Sequence, residues 1–153
     1  LFTQYREMGA LLAAMTREKL GIDPLFFHGG LTPKERENLI LDFQQQPYHP
    51  LMIITLKAGG TGLNLTAATT VIHYDLWWNP AVENQATDRS YRIGQKKSVT
   101  VHRLLTENTF EERVNELLQK KKELSDAIVG AGEHWITEMS NEEIRSLFEM
   151  KTT

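Results

Sequence analysis

Two stretches of the chain carry residue types and spacings suited to phosphate chemistry. The run Lys57-Ala58-Gly59-Gly60-Thr61-Gly62-Leu63-Asn64 sets glycines, which leave backbone amides open to a ligand, beside a cation, a hydroxyl and a carboxamide. It is not a Walker-type P-loop, because that motif places its lysine after the glycines and here Lys57 precedes them. Lys57, Thr61 and Asn64 favour contact with phosphate, belonging either to a nucleic-acid backbone or to a nucleotide. In the second stretch, Gln85 to Gln95, the residues Gln85, Asp88, Arg89 and Arg92 recur at helical spacing and share one polar face. A helix between buried strands has little reason to present two arginines with few acidic partners. Two guanidinium forks at a cleft edge suit the oxygens of a transferred phosphoryl group better than a surface ion-pair stripe does.

Other chemistry finds no support. The 5 His are not closely paired and the H-E-x-x-H pattern is absent, so no metal site is expected; with 0 Cys there is neither a thiolate zinc site nor a disulfide framework. No G-x-S-x-G elbow or dinucleotide glycine fingerprint occurs in proper context, which leaves a small-molecule α/β enzyme without a nucleophile. Tyr74, Trp77 and Trp78 are able to stack on bases, but aromatics after a parallel strand more often pack against protein. Asp75 either orients an arginine or caps its turn.

The elements that must hold these residues alternate. Phe2 and Thr3 end a strand; Met8, Leu11, Leu12 and Met15 recur at helical spacing, with Gly21 and Pro24 marking the exit; Leu25 to Phe27 form a strand that closes in the tight turn His28-Gly29-Gly30. Thr32, Pro33 and Glu35 make a capping box for a helix whose apolar side is Leu39, Ile40 and Phe43. Leu51 to Thr55 is apolar without alternation, as in a strand covered on both faces, and the glycine-rich loop follows it. Val71 and Ile72 give the next strand; Asn79 and Pro80 open a helix that runs toward Tyr91 and stops at Gly94. Val99 to Leu105 is the last strand, and Thr109 with Glu112 boxes a further helix. Ser140 and Glu143 open a short final one. The pattern predicts a mainly parallel, three-layer α/β domain. Its ligand loops, His28 to Gly30, Lys57 to Asn64, Asp75 to Pro80 and Arg89 to Gln95, are expected at the carboxyl ends of the strands.

The composition agrees. A length of 153 residues is one domain with a real core, and 41% hydrophobic with 24% charged residues excludes a disordered or low-complexity chain. No apolar run approaches the roughly 20 residues that span a bilayer. The formal charge of -3 hides an asymmetry: Asp88 to Lys122 holds 9 Lys/Arg against 5 Asp/Glu, and Glu123 onward holds 7 acids against 2 bases. Leu1 is not a start methionine, and the chain is expected to be a piece of a longer one.

Taken in order, LFTQY (1–5), FFHGG (26–30), ITLKAGGTGLNLTAA (54–68), HYDLWWNP (73–80) and QATDRSYRIGQ (85–95) resemble the motif series of the second RecA-like lobe in superfamily two helicases, most closely the Swi/Snf-type remodelling-ATPase branch. The resemblance implies a RecA-like lobe over residues 1–128, with 129–153 a helical extension that braces it. It implies an ATP-driven translocase on double-stranded DNA, with nucleotide between two lobes of which this is the second. Arg92 matches the arginine finger and Arg89 its companion, while Gln85 and Asp88 organise the cleft and Gly60 and Gly62 link nucleotide state to DNA grip. Thr55, Lys57 and Asn64 match a stretch that approaches the DNA backbone, as do His28, Gly29 and Gly30, and Trp78 is the aromatic of the WNP turn. The implied cofactor is ATP with magnesium in the complete two-lobe protein, with no tight binding by this chain alone. The implied partners are the first lobe and duplex DNA, with no membrane and a monomeric chain; the implied place is a bacterial nucleoid or a eukaryotic nucleus. Thr61 and Tyr91 depart from the usual residues of this branch. The other reading is a module that keeps the fold and binds nucleic acid without catalysis; intact Arg89 and Arg92 speak against it.

Overall fold

The computed structural model describes residues 1–45, 49–59, 63–77, 79–91, 97–125 and 140. Its strands are β1 (Phe2–Thr3), β2 (Leu25–Phe27), β3 (Met52–Thr55), β4 (Thr70–His73) and β5 (Thr100–Arg103). The helices are α1 (Arg6–Met15), continued by a π-turn at Thr16–Leu20, then α2 (Pro33–Gln45), α3 (Leu56–Gly59), α4 (Pro80–Thr87) and α5 (Phe110–Ser125). Contacts divide the chain into two compact units, Leu1–Trp77 with Ala81–Leu104, and Trp78–Pro80 with Leu105–Thr153.

The first unit holds the five strands found among the described residues, in the order β2-β3-β1-β4-β5, each pair of neighbours parallel. The register aligns Phe2, Phe27, Ile54 and His73, so with Leu25, Met52 and Val71 two residues away they share one sheet face. Leu39, Ile40 and Phe43 of α2 and Ala86 of α4 pack with that face. The opposite face, with Thr3 and Phe26, takes α1. Helices on both faces make the expected three-layer α/β fold. The four residues of β3 are all buried, as its unbroken apolar run requires, whereas β5 is exposed throughout at the sheet edge.

Local signals explain most boundaries. Gly21 closes the first helical segment in the left-handed conformation (φ 65°). Thr32 donates its N–H (2.7 Å) and hydroxyl (2.8 Å) to the Glu35 carboxylate and accepts the Glu35 N–H (3.3 Å), completing the capping box. At α5 the box shifts: Glu112 accepts from the N–H of Asn108 (2.8 Å), while the Thr109 hydroxyl donates to the Thr106 carbonyl (2.6 Å). Asn108 stands in the left-handed region at φ 59°.

Three expectations change. α1 turns Gly9 and Ala13 to the sheet, leaving Leu11 and Met15 exposed (59% and 55%), because the helix crosses so close that a Cβ at position 9 would stand 2.5 Å from the Phe26 ring. The stretch after β3 opens as a turn of helix, α3, before Gly60, Thr61 and Gly62, which lie outside the described residues. α4 ends at Thr87, short of Tyr91; Asp88, Arg89 and Ser90 form a turn closed by Asp88 N–H to Asn84 O (2.8 Å) and Ser90 N–H to Thr87 O (2.9 Å). The expected Gly94 stop, and the final helix from Ser140 apart from that residue, fall outside the described residues.

Candidate phosphate-facing site

Three described clusters surround the carboxyl side of the sheet. At the end of β2 the turn His28–Leu31 closes with Leu31 N–H to His28 O (3.3 Å) and Gly30 N–H to His28 Nδ1 (3.1 Å). Arg36 of α2 braces it, giving Nη2 to Gly29 O (2.9 Å) and Nε to Leu31 O (3.1 Å) with its guanidinium 5.7 Å from the Phe27 ring centroid. Gly29 and Gly30 are exposed, and the His28 ring tilts against Phe26 at 4.8 Å. Partial desolvation first, then Arg6 and Arg36, hold the His28 imidazole below its ordinary pKa, with Glu35 pulling weakly the other way.

After β3, Lys57 and Asn64 are exposed. Thr55 is placed differently: it pairs with Thr3 in the sheet and is 4% exposed, so its hydroxyl is not on the surface. Gln44 of α2 clamps the returning segment, donating to Asn64 O (2.6 Å) and accepting from the Ala67 N–H (2.9 Å).

β1 lies between β3 and β4, and the chain leaves β1 and β4 toward opposite sheet edges, which makes the gap between their ends the fold's switch point. That gap is filled by the protein itself. Asp75 accepts from the Thr3 hydroxyl and from Gln4 N–H (2.7 Å), and the Gln4 carboxamide donates to Leu76 O. Asp75 thus ties the exit of β4 to the end of β1. Trp77 packs against the core, and its N–H donates to Glu83 Oε1 (2.9 Å). Glu83, 5% exposed on α4, also receives Arg103 Nε (2.9 Å) from β5.

The turn after α4 is not grouped with those loops. α4 follows the carboxyl end of β4, and its last residue Thr87 still meets His73, the last residue of that strand (Oγ1 to Nε2, 3.0 Å); buried Ser90, three residues on, borders a cavity of about 30 Å³ shared with Leu1, Met52 and Thr70 near the strand starts. Arg89 is half-buried, Gln85 and Asp88 are exposed, and the Arg89 carbonyl accepts from Leu65 N–H (2.8 Å). That bond joins the arginine turn to the segment following the glycine-rich loop. Gly60, Gly62, Trp78 and Arg92 lie outside the described residues.

Residues 1–94 match the family model described as helicase conserved C-terminal domain. The chain belongs to that family. It is 50% identical over 153 residues to a Bacillus subtilis (strain 168) protein named putative ATP-dependent helicase/translocase YwqA, covering 100% of this chain and 16% of the relative. It is 37% identical over 132 residues to the ATP-dependent helicase ULS1 of Saccharomyces cerevisiae, covering 86% of this chain and 8% of the relative. Among solved structures it matches the Sulfolobus solfataricus SWI2/SNF2 ATPase core domain with a TM-score of 0.79 and 41% identity, over 99% of this chain and 31% of that one. The same core in complex with dsDNA matches with a TM-score of 0.78 and 40% identity, over 99% and 31%. The helicase lobe seen here is thus the C-terminal RecA-like lobe of the SWI2/SNF2 type, spanning about one sixth of the Bacillus relative.

Sequence reasoning missed the residues that place the lobe's loops: Gln4, Arg36, Gln44 and Glu83. Only Arg36 and Gln44 left a trace beforehand, as polar positions on a helix whose apolar side was already assigned.

Proposed function

We propose that the chain is the second lobe of an ATP-driven motor on double-stranded DNA, supplying arginines to the nucleotide and phosphate contacts to the duplex. The observation that carries this reading is the 2.8 Å bond from Leu65 N–H to Arg89 O, which fixes the two phosphate-suited stretches to one body. A motor needs that linkage, since the group that senses nucleotide must move with the group that grips DNA.

Arg92 is the finger that reaches across the cleft in this proposal, and Arg89 is its companion, with its main chain anchored and its side chain half-buried. Gln85 and Asp88, both exposed, organise the cleft in this proposal. The donor set fits the terminal phosphate of ATP and no more of it: guanidinium forks suit phosphoryl oxygens, while the sequence contains neither a Walker lysine after glycines nor an acidic pair for magnesium in strand context. ATP, when bound against the first lobe, supplies the anhydride whose hydrolysis powers the cycle. Lys57, Asn64, the segment at Thr55, the turn His28, Gly29 and Gly30, and Trp78 are the duplex contacts in this proposal, while Gly60 and Gly62 link nucleotide state to DNA grip. Such contacts read phosphate and not sequence, which lets a translocase use them at every step. The dsDNA complex of the Sulfolobus core supports the substrate class.

The test is the ATPase rate of the full-length protein with no nucleic acid, single-stranded DNA, duplex DNA and RNA in parallel. The expected result is strong stimulation by duplex DNA. A full-length protein with an intact first lobe that hydrolyses no ATP even with duplex would transfer the chain to the class of non-catalytic binding modules.

A further inference from the structure

We propose that Arg6, the first residue of α1, is a DNA-phosphate contact standing over the exposed turn of His28 and Gly30. The proposal rests on the reading that the turn after β2 touches the duplex backbone, and adds a residue from a different element.

The geometry starts at Gly30. A Cβ built there would stand 3.2 Å from Arg6 Nη1, 3.2 Å from His28 Nδ1 and 3.3 Å from His28 Cε1, so the guanidinium and the imidazole converge over the space that a side chain would fill. Gly29, Gly30 and Arg6 are all exposed. The second feature is what has been removed from the site. The Gly29 and Leu31 carbonyls, whose lone pairs repel an anion, are both occupied by Arg36. Thr32 holds the Glu35 carboxylate through two hydrogen bonds. Gly30 N–H is taken up by His28 Nδ1 (3.1 Å), so the cation left facing outward at this turn is the Arg6 guanidinium. Arg36 is committed to the turn and to the Phe27 ring, whereas Arg6 takes part in no ion pair among the described residues. Its planar fork is the group suited to grip phosphate oxygens.

An exposed arginine is often solvated and idle, and the salt dependence of binding separates the cases. A residue that neutralises one phosphate contributes about 0.9 to the slope of log K against log salt, while a residue that only braces the turn contributes nothing to it. The experiment is equilibrium binding of the full-length protein to a fluorescent duplex over a salt series, with the melting temperature of each variant recorded. Arg6→Ala is expected to reduce the slope by about 0.9 and to weaken binding equally on unrelated sequences, and Arg6→Lys to keep the slope with part of the affinity lost. Arg17→Ala, which removes an exposed partner of Asp23, is expected to leave the slope unchanged. Wild-type slope in Arg6→Ala, with or without weaker binding, overturns the Arg6 assignment and leaves the duplex reading standing. Failure of the wild type to bind duplex at all overturns both.

Discussion

Buried His73 ties the stability of the lobe to pH. It is 1% exposed, stacks on Phe2 at 5.6 Å, and bonds Thr87 through Nε2, while Nδ1 has no hydrogen-bond partner among the described residues. Burial foremost holds its pKa below the usual 6.5; Arg103 adds to this and Glu83 and Asp75 oppose it. In the unfolded chain the imidazole takes its proton near pH 6.5, so between that value and the lower folded one the unfolded state binds more protons. The contribution is therefore complete above the unfolded value and is lost as pH falls through the folded one. The urea midpoint should fall on acidification from about pH 7.5 to 5.5, and His73→Gln should flatten that dependence. An unchanged acid slope in the variant would assign it to other groups. The sequence made some residue contacts readable and hid others for a physical reason. Thr32 and Glu35 are three positions apart, so helix geometry alone pairs them; Thr3 and Asp75 meet only because β1 and β4 are neighbours, and nothing local announces a bond between residues 72 positions apart.

Among the elements, α1 and α4 differ most from what periodicity predicts, and both differences come from tertiary packing. Leu11 and Met15 have helical spacing, but the distance of the helix from the sheet is set by the smallest residue on it, and Gly9 permits a crossing at which Phe26 fills the gap. Gly9→Ala should therefore lower stability by about 1–3 kcal/mol despite the better helix propensity of alanine. Because the Phe26 ring that must move also touches His28, the same change should disturb the turn after β2. Adding Phe26→Leu should restore part of the lost denaturation midpoint; a double variant no more stable than Gly9→Ala would remove the steric explanation. α4 is held at its middle by Glu83, which serves Trp77 and Arg103 together. Losing this carboxylate in Glu83→Ala should cost about 1.5–3 kcal/mol, and Glu83→Gln less, since it still accepts from the Trp77 amide. Chemical unfolding of the pair of variants checks the order. The capping residues of α4 were visible beforehand, but its exit was not, because the turn at Asp88–Ser90 is fixed by a bond to Leu65 across the fold.

For the whole molecule, the proposed function sets an asymmetry between what the lobe would offer a nucleotide and what turnover requires. The motif order, read through the alternation of strands and helices, already pointed to a parallel three-layer lobe, and the sheet order β2-β3-β1-β4-β5 realises it. The net charge of -3 conceals a local gathering: Arg6, Arg36 and His28 come together at one turn from separate parts of the chain. Arginines facing a γ-phosphate stabilise charge that develops during transfer, but they neither hold the triphosphate nor position the attacking water. The chain alone should thus release no phosphate above background, with or without duplex DNA. In the full-length protein Arg92→Ala should lower duplex-stimulated kcat by about 10³-fold or more while KM for ATP changes little, because a contact made chiefly in the transition state leaves ground-state binding in place. Steady-state kinetics on the two forms decides the matter. Turnover by the isolated chain that survived Arg92→Ala would mean that the catalytic groups lie elsewhere in this lobe, and the two-lobe division of labour would have to be abandoned.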